Sequence, residues 1–306
     1  MDTVANLRAF LVTAKLGNFS EAARQLNVVP SVIAKRVAHL EWTLGTALFH
    51  RTTRTMELTV AGQKFQPRAS ALLGDFDSLV EDFGKESDAL EGHLRVRAPT
   101  SLTVLYLGTI FARFKRLHPK VTMDVVLVDR SVNPIEEGFD IALGGLPSTY
   151  DGVHDEPLCQ LKQILCATPA YLARAGTPAH PRDLHDHECL VFNPTGSTWL
   201  FDSVSGQVSV DVPTTLSSND NHVLYSAVCE GNGIAILPTY IAAGALGKGE
   251  LIGLMGGYPL HATWLKAQVP VRKMALRPIQ VFLALLRESL SPLPPWEKDA
   301  AAATGA

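Results

Sequence analysis

Near the N-terminus, Ser31, Ala34, Lys35 and Ala38 fall on one face of a helix-period segment, with Arg36 beside them. A hydroxyl, small methyls and two cations at this spacing suit a polyanion. Lys and Arg reach phosphates or base edges, and a methyl such as that of Ala34 can meet a thymine methyl. Two more cations, Arg51 and Arg54, lie at and within the polar run Thr52-Thr53-Arg54-Thr55. A second group, Thr100-Ser101 and Ser218-Asn219-Asp220, puts hydroxyls, an amide and a carboxylate where strand patterns give way to helix patterns. Such junctions offer unpaired N–H groups to a ligand, and they equally suit plain helix capping. His154, His185 and His187 invite a search for metal or acid-base chemistry, and Cys159 with Cys166 for a thiol switch.

The elements that must carry the first group occupy residues 1–64. Val4, Leu7, Leu11 and Ala14 mark one helix face, ended by Gly17-Asn18. Ser20 is expected to cap a short second helix through Leu26, and it is also a candidate phosphate contact. Asn27 turns the chain. Pro30 opens a third helix with the buried stripe Ile33, Val37, Leu40 and Leu44. Two short helices and a tight turn fit a helix-turn-helix, and periodicity alone fits a small helical bundle as well. Leu48–Arg51 and Met56–Leu58 read as paired strands about a basic tip, a wing beside the second helix of that pair.

Thr59 should cap a long helix in which Phe65, Ala69, Leu72, Phe76, Leu79 and Phe83 recur at steps of four and three. An a/d seam of about three heptads predicts a dimerising rod, with a core helix as the alternative. Pro67 should kink it. Residues 1–64 hold 8 basic and 4 acidic residues, whereas residues 65–93 hold 2 and 7. The basic excess thus belongs to the first piece alone, as expected if only that piece meets a polyanion.

From Leu94 the period changes to alternating strands and helices. Strands are expected at Leu94–Ala98, Val121–Val128, Ile141–Leu143, Gln163–Ala167 and Ile234–Leu237. Helices are expected at Leu102–Leu117, Ala170–Arg174, Asn221–Glu230 and Leu276–Leu290. This order predicts α/β architecture with parallel layers. Ser205-Gly206 marks a hairpin between Trp199–Val204 and Gln207–Val212. A Pro- and Ala-rich end, 291–306, reads as a flexible tail.

With 306 residues, about two domains are expected. No apolar run reaches membrane length and no leader pattern opens the chain, so a cytoplasmic protein without a membrane partner is expected. Cys159, Cys166, Cys189 and Cys229 match no C-x-x-C spacing, which predicts reduced thiols. The stretch His185-Asp186-His187-Glu188 need not converge on an ion, so no metal is assigned. No converging nucleophile and base marks an enzyme, and no cofactor is assigned.

Several stretches taken in order resemble the LysR-type transcriptional regulators. They are Phe19–Leu26, Val32–Leu40, Leu48–Arg51, Leu58–Gly62, Val96–Ser101, Glu137–Ala142, Ala167–Leu172 and Gly231–Pro238. The resemblance implies a winged helix-turn-helix (1–64), a dimerising linker helix (65–93) and an effector-binding domain (94–290). That domain would resemble periplasmic solute-binding proteins, with one α/β subdomain at about 94–162 plus 269–290 and another at about 163–268.

It further implies double-stranded promoter DNA, a small-molecule effector, self-association as a dimer of dimers, and RNA polymerase as a candidate partner. Ser20, Ser31, Ala34, Lys35, Arg36, Arg51 and Arg54 become the DNA-contacting set. Thr100, Ser101, Ser218, Asn219 and Asp220 become effector-facing positions, with Phe192, Asn193 and Thr195 as weaker candidates. Where relatives commonly carry Ser-Gln before the third helix and Ser within it, this chain has Val29, Pro30 and Ala34. Many relatives carry an arginine after the strand matching Ile141–Leu143, whereas this chain continues Gly144-Gly145. No fixed cation is therefore expected in the effector site, and a small metabolite, aromatic or weakly charged, held by neutral donors is expected there. A redox-responsive regulator using Cys159 and Cys166 is the alternative.

Overall fold

The computed structural model describes residues 2–51, 56–82, 90–204 and 206–298. Helix α1 (Thr3–Leu16) buries Leu7, Ala9, Phe10 and Thr13, and Gly17 in the left-handed conformation ends it. The buried face is thus rotated from the expected one, with Val4, Leu11 and Ala14 half-buried at its margins. Helix α2 (Phe19–Gln25) is capped by Asn18, not Ser20: the Asn18 side-chain Oδ1 accepts the N–H groups of Ser20 at 2.7 Å and Glu21 at 3.4 Å. Asn27, with φ 55°, turns the chain towards α3 (Pro30–Leu44). Ile33, Val37 and Leu40 are buried there, whereas Leu44 is 40% exposed because the last turn runs past the core.

Strands β1 (Phe49–Arg51) and β2 (Met56–Leu58) pair antiparallel. Glu41 of α3 ties the ribbon down, its carboxylate accepting the N–H groups of Leu48 at 2.8 Å and Phe49 at 3.2 Å. The Thr59 hydroxyl accepts from Gly62 N–H at 3.0 Å and donates to the Ala47 carbonyl at 2.8 Å, starting α4 (Val60–Asp82). A Cβ on Gly62 would lie 2.2 Å from the Leu48 carbonyl oxygen, so helix and ribbon approach too closely for any side chain there.

The expected seam of α4 divides. Ala69 and Leu73 are buried and Phe65 half-buried in the core built by α1 and α3, so Phe65 and Ala69 face their own chain. Leu72 and Phe76 remain 57% and 41% exposed. The Leu79 side chain and Phe83 lie outside the described residues. Pro67 is inside the helix as expected.

Two five-stranded sheets follow, and both are mixed, not purely parallel. In the first, β3 (Gly92–Ala98) runs parallel to β4 (Val121–Leu127) and β5 (Ile141–Gly144). Strand β6 (Val153–Leu161) and the returning β14 (Thr263–Pro270) complete it antiparallel. In the second, β7 (Gln163–Ala167) pairs antiparallel with β12 (Ile234–Pro238) and β13 (Ile252–Gly253). There β8 (Cys189–Phe192) lies parallel to β12 and β11 (Thr214–Ser218). The hairpin of β9 (Thr198–Ser203) and β10 (Gly206–Asp211) stands where the glycine signal put it.

Because β14 joins the first sheet, the chain crosses back before Thr263 and not at 269. Helices α5 (Thr100–Leu102) and α6 (Gly108–Leu117), joined by a π-helical turn at Thr103–Leu107, pack on the first sheet with α11 (Arg277–Leu290). Helices α9 (Asn221–Cys229) and α10 (Thr239–Gly247) cover the second. Among the described residues no helix is long and apolar enough to cross a membrane.

The expected flexible tail is corrected over its first part. Trp296 is 2% exposed and packs its ring against Tyr106 at 5.3 Å and Tyr240 at 5.9 Å. Beside it the Glu297 carboxylate meets Lys162 Nζ at 2.6 Å. The two tyrosine rings also meet each other at 6.3 Å, so the indole completes a three-ring cluster that orders the chain around it. Residues 299–306 lie outside the described residues.

Candidate functional site

Two places gather the chemistry. On α3, the burial of Ile33, Val37 and Leu40 turns the opposite face outwards. Ser31 and Lys35 are exposed on it, Ala34 and Arg36 half-exposed. Val29, which precedes the helix, makes no side-chain cap. Glu41 clamps β1 to α3, so ribbon and helix present one surface. Arg51 ends β1, though its side chain lies outside the described part, as does Arg54 at the ribbon tip. The Ser20 hydroxyl is exposed near this surface, but its N–H belongs to Asn18, which removes the backbone donor expected for a phosphate.

The second place is a cavity of about 360 Å³ walled by both sheets. It opens beyond the C-terminal ends of β3, β5, β8 and β12, where parallel strands leave a crevice for ligands. Ser101, Phe192 and Thr195 line it. Of the other expected residues, Thr100 turns to Asp129, giving its N–H at 2.9 Å and its hydroxyl to that carboxylate. Asn193 donates its N–H to the Ser218 carbonyl at 2.9 Å, and the Ser218 hydroxyl accepts from Asp220 N–H at 3.0 Å. Asn219 is exposed away from the wall. Asp220 caps α9 and takes the Ser101 hydroxyl across the crevice at 3.4 Å, so it bridges the two subdomains.

A cation stands on the wall after all. Arg97 comes from β3, not from the end of β5, and is 5% exposed. Its guanidinium donates to the Leu143 carbonyl and, at 2.5 Å, to that of Arg130. Gly144 leaves it the space. Burial lowers the Arg97 pKa from its usual value, opposed by the field of Asp129. Tyr240 also lines the cavity, its phenol pushed well above the ordinary range by burial and then by Asp129. Alternation in Leu94–Ala98 marked Arg97 as a polar-face residue; what it could not show is that this face is covered.

The two cysteines of the thiol-switch alternative stand in different sheets. Cys159 lies on β6 of the first sheet and Cys166 on β7 of the second, both buried, and desolvation pushes each thiol up to about 12. His187 is buried with Nδ1 3.0 Å from the Tyr171 hydroxyl, while His154 and His185 are exposed elsewhere. Among the described residues no three His, Cys, Asp or Glu side chains converge to hold an ion.

A sequence model for the family described as "Bacterial regulatory helix-turn-helix protein, lysR family" matches residues 4–63, and one described as "LysR substrate binding domain" matches residues 87–291. The chain is 30% identical to the HTH-type transcriptional regulator PtxR of Pseudomonas aeruginosa, over 93% of this chain and 92% of that protein. It is similar to the solved structure of CrgA, a LysR-type transcriptional regulator from Neisseria meningitidis. There the identity is 27%, the TM-score 0.58, and the coverage 94% of this chain and 98% of that one. The full-length structure of the Vibrio cholerae virulence activator AphB shares the fold at 22% identity and TM-score 0.61, covering 92% of this chain and 97% of that one.

Proposed function

Because the chain belongs to the LysR family of transcriptional regulators, we propose that α3 and the β1–β2 ribbon hold promoter DNA while the inter-subdomain cavity receives the effector. Lys35 and Arg36 meet base edges or phosphates, Ser31 adds a hydrogen bond, and Arg51 and Arg54 hold the ribbon to the backbone or minor groove. Ser20 contributes its hydroxyl alone. Leu72 and Phe76 continue into a seam with a second α4, and two such dimers make the tetramer. RNA polymerase is met at the bound promoter. The protein works in the cytoplasm as a regulator and not as a catalyst.

One observation carries this reading: the cavity is walled by both subdomains, so filling it changes the angle between them. Ser101 and Asp220 bridge its mouth, and Ser101, Phe192 and Thr195 touch the effector. Nuclease footprinting on the DNA upstream of the gene, at two salt concentrations, tests the reading. Protection longer than one dimer's pair of half-sites, with enhanced cutting between, is the expected result. Absence of protection on that and neighbouring intergenic DNA, even at low salt, refutes it.

A further inference from the structure

Arg97 presents an unbalanced charge. A buried guanidinium is stable when paired, and one left alone carries a large desolvation cost. Its hydrogen-bond partners are two backbone carbonyls, those of Leu143 and Arg130. Nε is buried without a partner. Among the described residues no carboxylate forms an ion pair with it. Asp129, whose field acts on it most among the carboxylates, holds the N–H and hydroxyl of Thr100, one with each oxygen.

The guanidinium is nevertheless held in place. Its two carbonyl contacts come from the end of β5 and from the loop after β4. A Cβ at position 144 would lie 2.5 Å from Nη1, so the missing side chain of Gly144 is what admits it. The lining is mixed: Leu190, Phe192, Trp199, Leu200 and Ile236 supply ring and branched surface, and Asp129, Gln163, Asn221 and His261 are among its polar residues. An apolar cavity with few convergent polar groups fixes a ligand's orientation through those groups.

We propose that the effector is a small monocarboxylate with an apolar, ring-sized body, its carboxylate docked on the Arg97 guanidinium and its body against Phe192 and Ile236. This rests on reading the cavity as the effector site. A single buried cation matches a single carboxylate, and the Asp129 carboxylate on the same lining disfavours a second acid group beside it. Planar guanidinium and carboxylate pair through parallel hydrogen bonds, which a neutral amide cannot reproduce.

The test uses the full-length protein with benzoate, phenylacetate and cyclohexanecarboxylate, each beside its primary amide, measured by calorimetric titration and ligand-induced rise in Tm. At least one acid is expected to bind roughly tenfold to a hundredfold more tightly than its amide. Arg97→Met should erase that advantage. Gly144→Ala should reduce it as well, keeping the charge but displacing a flexible side-chain tip, so that loss of fold in Arg97→Met cannot mimic the result.

Equal binding of acid and amide, or an acid advantage that survives both substitutions, overturns the proposal. So does the failure of every acid to bind at millimolar concentration. Leu146→Trp, which fills the cavity, separates this outcome from failure of the cavity reading itself. If ring compounds bind without acid preference and lose binding in Leu146→Trp, the cavity reading stands and the carboxylate assignment falls. If Leu146→Trp leaves their binding untouched, the cavity reading falls.

Discussion

Replacing Trp296 by Ala removes a side chain that is 2% exposed and packed against both Tyr106 of the π-helical turn and Tyr240 of α10. Truncating a buried Trp costs about 3–5 kcal/mol, and each ring pair adds about 0.5–1.5 kcal/mol beyond its area. One term runs the other way. The indole Nε1 is buried without a partner, and an unmet donor carries a penalty of about 1–3 kcal/mol that vanishes with the side chain. The net expectation is a loss of about 3–5 kcal/mol, or roughly 6–20 °C in the unfolding transition of the effector region. Trp296→Phe keeps most of the ring contact and drops the unmet N–H, so it should stay within about 1 kcal/mol of the parent. Differential scanning calorimetry of the full-length protein reads both. A fall of less than about 2 °C for Trp296→Ala would show that the tail does not brace the two subdomains. Equal damage from Phe and Ala would refute the account of the unmet donor.

Lys35→Ala should weaken operator binding by about 1–3 kcal/mol and flatten sequence preference if Lys35 reads a base, as measured by gel shift at fixed salt; unchanged affinity removes it from the contact set. Leu72→Asp with Phe76→Asp should lower the oligomeric state read by sedimentation with little loss of Tm, since both side chains are exposed in the single chain. Cys159, Cys166 and Cys189 are buried with thiols pushed up to about 12, so a thiol reagent at pH 8 should rapidly label Cys229 alone until the protein is denatured. The same shifts make a pH statement. A folded-state value above the unfolded one stabilises below the unfolded value, and that contribution is lost as pH rises from about 9 towards 12, so Tm should fall over that window. Rapid labelling of several thiols in the folded protein would contradict the burial.

Much of the fold was legible where periodicity and punctuation agree. Ile33, Val37 and Leu40 mark α3 because nothing else competes for that stripe, and Ser205-Gly206 marks its hairpin. Strand β6 escaped because His154, Asp155 and Glu156 read as solvent-facing, whereas Asp155 meets Lys266 and Glu156 meets Arg287, partners far along the chain. Strand β14 carries a legible alternation in Leu265, Ala267 and Val269, all buried. Helix α10 has Gly244 and Gly247 among alanines, a composition with weak helical preference that only its packing overrides. In the site, the walls at Ser101, Phe192 and Thr195 were anticipated. Arg97 was not, because its position depends on the empty space at Gly144, and vacancy leaves no pattern in a sequence. Asn18 outdid Ser20 as a cap because one side-chain carbonyl reaches two N–H groups there.

Helix α4 has its first turns embedded in the reading head through Phe65, Ala69 and Leu73, and along its length it touches β3 and α7 (Pro134–Glu137) of the effector half. Mechanically this makes it a lever with one end welded. At about 1.5 Å per residue its 23 residues span about 35 Å. A swing of about 10° at one end therefore carries the other through about 6 Å, nearly two base-pair steps of about 3.4 Å. If α3 lies in a DNA groove as proposed, small changes of angle in the effector half need no amplifier to move it out of register. The helix itself supplies the gain.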